Sequence, residues 1–252
     1  MLQKIEGLVL RTTDYGESNK IVVIFTRENG KIGAMARGAK KPNSRLASVS
    51  QPLTYGHFLV MLGSGLGSLQ QGEIIHPLKS LKQDIFLTAY ASYLVELTDK
   101  ATEERKRNPY LFELLIQTLT YMDDGLDPQV LTNIYEMKLL NSFGLYPILD
   151  GCAICKETEG TFAFSIKEGG FICHRCIHND PHHLKISPSV ARLLRLFYYI
   201  DIHRLGSINV KDETKREIKK VIDAYYEEYS GLQLKTKKFL TQLEKLHFPQ
   251  ND

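Results

Sequence analysis

The placement of the cysteines constrains this chain more than any other feature. All four lie in two pairs, Cys152-Ala153-Ile154-Cys155 and Cys173-His174-Arg175-Cys176, separated by seventeen residues. Two residues between thiols let a tight knuckle aim both sulfurs at one ion. A second knuckle then completes a tetrahedron with metal–sulfur distances of ~2.3 Å. The intervening Phe162-Ala163-Phe164 and Gly169-Gly170-Phe171-Ile172 read as a hairpin that brings the knuckles together. The pattern predicts a zinc ribbon, with Cys152, Cys155, Cys173 and Cys176 holding one structural Zn2+. His174, His178, His182 and His183 crowd the same segment, either as replacement ligands or as surface histidines. Two disulfides would suit a secreted chain. Met1 to Glu6, however, shows no long apolar stretch and no small-residue cleavage site, so a reducing, cytosolic setting is expected. A thioredoxin-type pair needs a βαβ pattern beside it, which is missing.

Four thiolates leave no open coordination position, so hydrolytic zinc chemistry is excluded for such a site. No histidine has a glutamate two residues on, and there is no H-E-x-x-H. Gly30-Lys31 is followed by Ile32 rather than Ser or Thr, and Gly63-Ser64-Gly65-Leu66-Gly67 lacks the last glycine of a dinucleotide loop. The expectation is a protein that is not an enzyme.

Around the cysteine segment the chain has an α+β organisation. Residues 1–79 contain five short β-branched or apolar runs: Gly7-Leu8-Val9-Leu10, Lys20 to Phe25, Gly33 to Ala36, His57 to Leu62 and Leu69 to Ile75. Turn signals separate them, among them Asn29-Gly30, which suggests a type I′ turn. Their number and length predict a five-stranded OB-type barrel. From Ser80 the period becomes helical, with Leu81, Ile85, Ala89, Tyr93 and Leu97 at i, i+4 steps. Asn108-Pro109, Asp127-Pro128 and Ser187-Pro188 each place a capping side chain before a first-turn proline. Gly144 and Gly231 follow two of the helical stretches as stops. Further helices are expected at about 210–229 and 236–246. Residues 80–252 thus form an α-helical domain with the zinc ribbon inserted at about 148–183, the flanking helices belonging to one body. With 43% hydrophobic residues and no apolar run near ~18 residues, the chain is globular and has no membrane span.

Charge is uneven. Residues 1–50 carry nine Lys/Arg against four Asp/Glu, a net of +5, whereas the remainder is at −2. Arg37-Gly38-Ala39-Lys40-Lys41-Pro42-Asn43-Ser44-Arg45 concentrates four cations without an acid, a composition that neutralises phosphates. A solvated cationic face is the plain alternative. Aromatic side chains nearby are sparse. Tyr15, in the first inter-strand loop, is the candidate for base stacking, while Phe25, Tyr55 and Phe58 are assigned to the core. Binding through the sugar–phosphate backbone, independent of sequence, is therefore expected.

Glu6 to Arg11, Asp14-Tyr15-Gly16-Glu17-Ser18, Phe25-Thr26 and Gly30-Lys31-Ile32 through Arg37 to Leu46 closely resemble the N-terminal signature of the bacterial recombination mediator family RecO. The likeness continues in Gly144-Leu145-Tyr146-Pro147, Gly169-Gly170 and Ile186-Ser187-Pro188. It extends to Leu234 through Leu240, where Thr236 stands in place of a commoner serine. The resemblance implies an OB-fold, a helical domain and a zinc module that not all members retain. It further implies binding to single- and double-stranded DNA, annealing of complementary strands, and joint action with RecR in loading RecA onto DNA coated by single-strand-binding protein. The acidic C-terminal tail of that protein is an implied partner, and the cytoplasm and nucleoid of a bacterium the implied location. On the matching positions, Arg37, Lys40, Lys41 and Arg45 are expected to contact phosphates, with Lys235, Lys237 and Lys238 as a further basic stretch. Two other classes remain open on the residues themselves: a module that only holds partner proteins, and a zinc ribbon of transcription or translation machinery that binds structured nucleic acid.

Overall fold

The computed structural model describes residues 1–206 and 208–247. Five strands close into a barrel: β1 (Leu2–Tyr15), β2 (Asn19–Thr26), β3 (Gly30–Ala36), β4 (Tyr55–Met61) and β5 (Gly67–His76). Their order is β1-β2-β3-β5-β4, with β1 also paired to β4 and a parallel β3–β5 contact, which is the OB-type closure expected. β1 is 14 residues long because it serves two partners. Leu2 to Leu8 pair with β4, Gly7 to Tyr15 pair with β2, and a bulge between Val9 and Arg11 turns the strand from one to the other. The interior is filled by Val9, Val22, Ile24, Ile32, Ala34 and Phe58, with Val60 and Leu69 from the last two strands. A short helix α1 (Arg45–Val49), absent from the sequence reading, crosses between β3 and β4 and contributes Val49 to that core.

The β2–β3 turn differs from the type I′ expectation. Thr26 pairs with Gly30 across a three-residue loop, and only Gly30 takes a positive φ (+65°). The Thr26 hydroxyl accepts from Asn29 N at 3.0 Å and donates to Gly30 O at 2.8 Å, so the side chain closes the turn. A Cβ at position 30 would also collide with the Lys106 backbone, which makes glycine obligatory twice over.

The helix expected to run from Ser80 is two helices, α2 (Lys79–Gln83) and α3 (Ile85–Ala101). Asp84 breaks them: its backbone is extended, and its carboxylate accepts from Phe86 N and Leu87 N at 2.8 and 2.9 Å. Ile85, on the expected apolar stripe, is therefore exposed. The three proline starts form as read, in α4 (Pro109–Asp123), α5 (Pro128–Leu139) and α6 (Pro188–Tyr199), capped by Asn108, Asp127 and Ser187. α7 (Asp212–Ser230) stops at Gly231, whose φ is +60°, and α8 (Lys235–His247) follows. α5 is not amphipathic but buried on every side from Val130 to Leu139. Its Glu136 meets Lys219 at 2.7 Å, and Lys138 donates to the Tyr198 carbonyl at 3.3 Å.

Two compact units result. One comprises Met1–Gly125 and the chain from Leu234; the other is Leu126–Gln233. Thus α2, α3, α4 and α8 group with the barrel, and α5 to α7 with the cysteine segment, where the sequence had placed the helices in one body. Ion pairs explain the first grouping. Asp99 on α3 receives Lys31 at 2.9 Å and Arg11 at 2.8 Å. Arg27 grips Glu6 at 2.8 Å, pairs with Glu113 on α4 and lies 5.3 Å from the Phe112 ring centre. Glu96 on α3 accepts from the first amides of α8, Lys235 N at 3.4 Å and Thr236 N at 2.9 Å. Burial pushes the Asp99 carboxyl up, but hydrogen bonds from Lys31 and Arg11 outweigh it and hold the group below the usual aspartate range.

A depressed folded-state value means that the stabilisation is present above the unfolded pKa and lost as pH falls. Asp99→Asn is expected to lower the unfolding free energy by about 3 kcal/mol at neutral pH, and by less at pH ~3, where the unfolded carboxylate is largely protonated and part of the native stabilisation is already lost. Urea unfolding at the two pH values checks this.

Candidate nucleic-acid interface and metal centre

In the cysteine segment, β6 (Phe162–Ser165) and β7 (Gly170–Cys173) form the expected hairpin, Phe162 pairing with Cys173 and Ser165 with Gly170. A two-residue strand, β8 (Leu184–Lys185), joins the other side of β6. The first knuckle closes through Lys156 N to Cys152 O at 3.0 Å, with Lys156 at φ +65°, and the second through Cys176 N to Cys173 O at 2.9 Å. Cys173 N also donates to the Cys152 sulfur at 3.4 Å.

The four sulfurs all lie within 4.8 Å of one another, and Cys155 and Cys173 are 3.6 Å apart. A tetrahedron with metal–sulfur bonds of ~2.3 Å has edges of ~3.8 Å, so the donor set is sized for one ion. Cys152, Cys173 and Cys176 are buried and Cys155 is exposed. Burial raises the Cys152 thiol, but amides of Cys155, Cys173 and Ile154 outweigh it and bring it to about 6. Burial and the three neighbouring sulfurs push Cys176 up to about 12. Such a set is at odds with itself as four thiolates and is reconciled by a divalent cation among them. These residues could therefore hold a metal ion.

Among the described residues the donor cluster contains no histidine. His183 Nδ1 is 2.7 Å from the Asp180 carbonyl, and His178 lies beside Asn179 at 3.3 Å.

The cationic loop is fastened to one end of the barrel. Ala39 is buried in the barrel core. Gly38 N donates to the Asn19 side chain at 2.9 Å and Lys40 N to Ser18 O at 3.0 Å, tying the loop to the β1–β2 turn. Ser44 then caps α1, accepting from Leu46 N at 3.2 Å. Arg37, Lys40, Lys41 and Arg45 are all exposed. Lys40 is not a bare cation: its ammonium lies 2.9 Å from Asp14, an exposed carboxylate that the Lys40 hydrogen bond holds below its ordinary range. Lys235, Lys237 and Lys238 stand on the first turn of α8, which is seated on α3. The two basic groups thus have different supports.

Residues 1–78 match the family model described as Recombination protein O N terminal, and residues 82–238 the one described as Recombination protein O C terminal. The DNA repair protein RecO of Bacillus cytotoxicus is 60% identical over 245 residues, 97% of this chain and 99% of its own length. Those of Bacillus subtilis and Bacillus velezensis are 59% and 61% identical over 246 residues, each covering 98% of this chain and 96% of the relative. The chain belongs to the RecO family.

For a RecO family protein the distribution of charge is the informative departure from the sequence reading. Of the nine cations in residues 1–50, Arg11, Arg27 and Lys31 are turned toward Asp99, Glu6 and Glu113. Asp99 and Glu113, which between them answer all three, lie on helices far along the chain. Asp14, four residues before Ser18, was equally unseen as a partner of Lys40; its place on β1 beside the turn was the available signal. No described helix is long and apolar enough to cross a membrane.

Titration with Co(II) is expected to give thiolate-to-metal absorption saturating at one ion per chain. Cys152→Ser should weaken that affinity by more than about 100-fold, the upper end of what changes outside the ligand shell cost.

Proposed function

We propose that this protein is a non-enzymatic recombination mediator of DNA repair. It binds single- and double-stranded DNA, promotes annealing of complementary strands and, with RecR, loads RecA onto DNA coated by single-strand-binding protein. The observation that carries the reading is the loop Arg37 to Arg45, whose four cations are exposed while its backbone is fixed by Ala39, Asn19 and Ser18. A cationic rim held in place binds phosphates with little loss of chain entropy, and neutralising two polyanions lets them approach. No bond is made or broken in this work.

Arg37, Lys40, Lys41 and Arg45 are assigned to phosphate contact, with Lys235, Lys237 and Lys238 as a second, weaker group. Asp14 acts as an internal anion on Lys40 that an incoming phosphate displaces. Cys152, Cys155, Cys173 and Cys176 hold one structural zinc, which is coordinatively closed and supplies bracing only. The acidic tail of single-strand-binding protein takes an apolar site with a basic rim in the helical part. The protein works in the bacterial cytoplasm, at the nucleoid.

Affinity for a labelled single strand, followed by fluorescence anisotropy, is expected to fall with salt at about −0.7 per phosphate, hence about −3 for the four-cation loop. Lys40→Glu with Lys41→Glu should flatten that slope by at least ~1.4 and weaken binding by similar factors on unrelated sequences. Asp14→Asn should strengthen binding in the same titration. Charge-reversal variants that bind like the native chain would refute the loop assignment. Annealing of complementary strands, with and without single-strand-binding protein, tests the mediator role itself.

A further inference from the structure

The outer face of the first three strands is covered at one end and open at the other. Register places Arg11, Val23 and Gly33 in one cross-strand row, Thr13, Ile21 and Met35 in the next, and Tyr15 with Asn19 in the last. The alternate residues Val22, Ala34 and Ala36 fill the core, so these rows face outward. Asp99 on α3 takes Arg11 and Lys31, and Val23 is buried beside them. Beyond that point Ile21 and Met35 are half-buried, Thr13 is exposed, and Tyr15 is 54% exposed.

Three further observations define what this open end can take. Leu66, from the β4–β5 loop, is 50% exposed and so close over Gly33 that a Cβ there would lie 3.0 Å from its Cδ1. Arg37 follows Met35 by two residues, at the same edge, and begins the cationic loop. Acidic side chains are absent from these rows, because Asp14 alternates to the opposite face and meets Lys40. Tyr15 is not a loose loop residue: it is paired with Asn19 at the end of β1, and Gly16 makes the turn at φ +60°.

We infer that this patch is a stacking platform for an unpaired nucleic-acid base, with Tyr15 as the aromatic contact and Ile21, Met35 and Leu66 as its apolar surround. A base offers flat faces that water solvates poorly. In a duplex those faces are already stacked, so only an unpaired base can use the patch. Phosphates flanking that base fall to Arg37 and the rest of the loop, which supplies the charge complementarity. Tyr15 therefore confers preference for single strands on a surface that otherwise grips any phosphate backbone. The inference rests on the proposed phosphate-binding role of the loop and adds a specificity-determining residue to it.

The full-length protein is titrated with a labelled oligothymidine and with a mixed-sequence duplex of equal length. Tyr15→Ala should lose roughly tenfold in affinity for oligothymidine, with duplex affinity and salt slope unchanged. Tyr15→Trp should retain single-strand affinity, since the ring rather than the hydroxyl carries the contact. Tyr15→Ala that binds oligothymidine like the native chain, or that loses equally on strand and duplex, overturns the platform while leaving the loop reading intact. A native chain that binds neither DNA removes both.

Discussion

The carboxylate of Asp99 is the interaction on which the N-terminal unit depends. It is largely buried, and it receives Lys31 and Arg11 from two different barrel strands. Removing a carboxylate from water costs several kcal/mol, and one surface cation would not restore it. Two cations with good hydrogen-bond geometry do, and the geometry then admits only one seating of α3 on the barrel. Arg27 repeats the arrangement, held by Glu6 and Glu113 above the Phe112 ring. Tyr55 adds its hydroxyl to Glu6, and burial together with that hydrogen bond pushes the phenol well above its ordinary range.

These fixed pairs have a consequence for function. A helix seated over Arg11 and Lys31 covers one end of the outer sheet face and leaves the other end, with Tyr15 and Met35, to solvent. The cations drawn into the seating are paired with its carboxylates, and Lys31 is buried as well. Of the other six cations in residues 1–50, the exposed Arg37, Lys40, Lys41 and Arg45 are concentrated in one loop at the uncovered end. Seating charge and exposed loop charge are thus separated along the same strands, and the same ion pairs that stabilise the unit decide where its exposed cationic edge lies.

Much of this was legible in the sequence because the signals were local. The cysteine knuckles, the three cap-plus-proline helix starts and the five strand runs are each set by residues within a few positions of one another. What escaped was non-local. The nine cations of residues 1–50 carry no mark that distinguishes Lys31, which meets Asp99, from Lys41, which does not; the difference is made by a residue on a helix 68 positions away. The burial of α5 is likewise non-local, since Glu136 and Lys138 are covered only once α7 supplies Lys219 and α6 the Tyr198 carbonyl. Asp84 is a different kind of miss. An aspartate before an apolar run is a helix-start signal, and the i, i+4 stripe through Ile85 outweighed it.

The cysteine segment has a structural use for a four-thiol set. Its sheet has strands of four, four and two residues, too little to stand unaided in water. One end is supported by aromatic packing: Phe164 meets Tyr225 of α7 edge-on at 5.7 Å, and Arg195 of α6 lies 5.8 Å from the Phe171 ring centre. At the other end the sulfurs have a few apolar neighbours, the buried Ala163 and Ile172 and the partly buried Ala153, Phe162 and Ile177. An ion held by both knuckles would supply there the cross-link that a larger core otherwise provides. Cys155 is the one exposed sulfur of the four, and in a closed tetrahedron its remaining valence is taken by the ion rather than by a substrate. Bracing is therefore sufficient to account for all four residues.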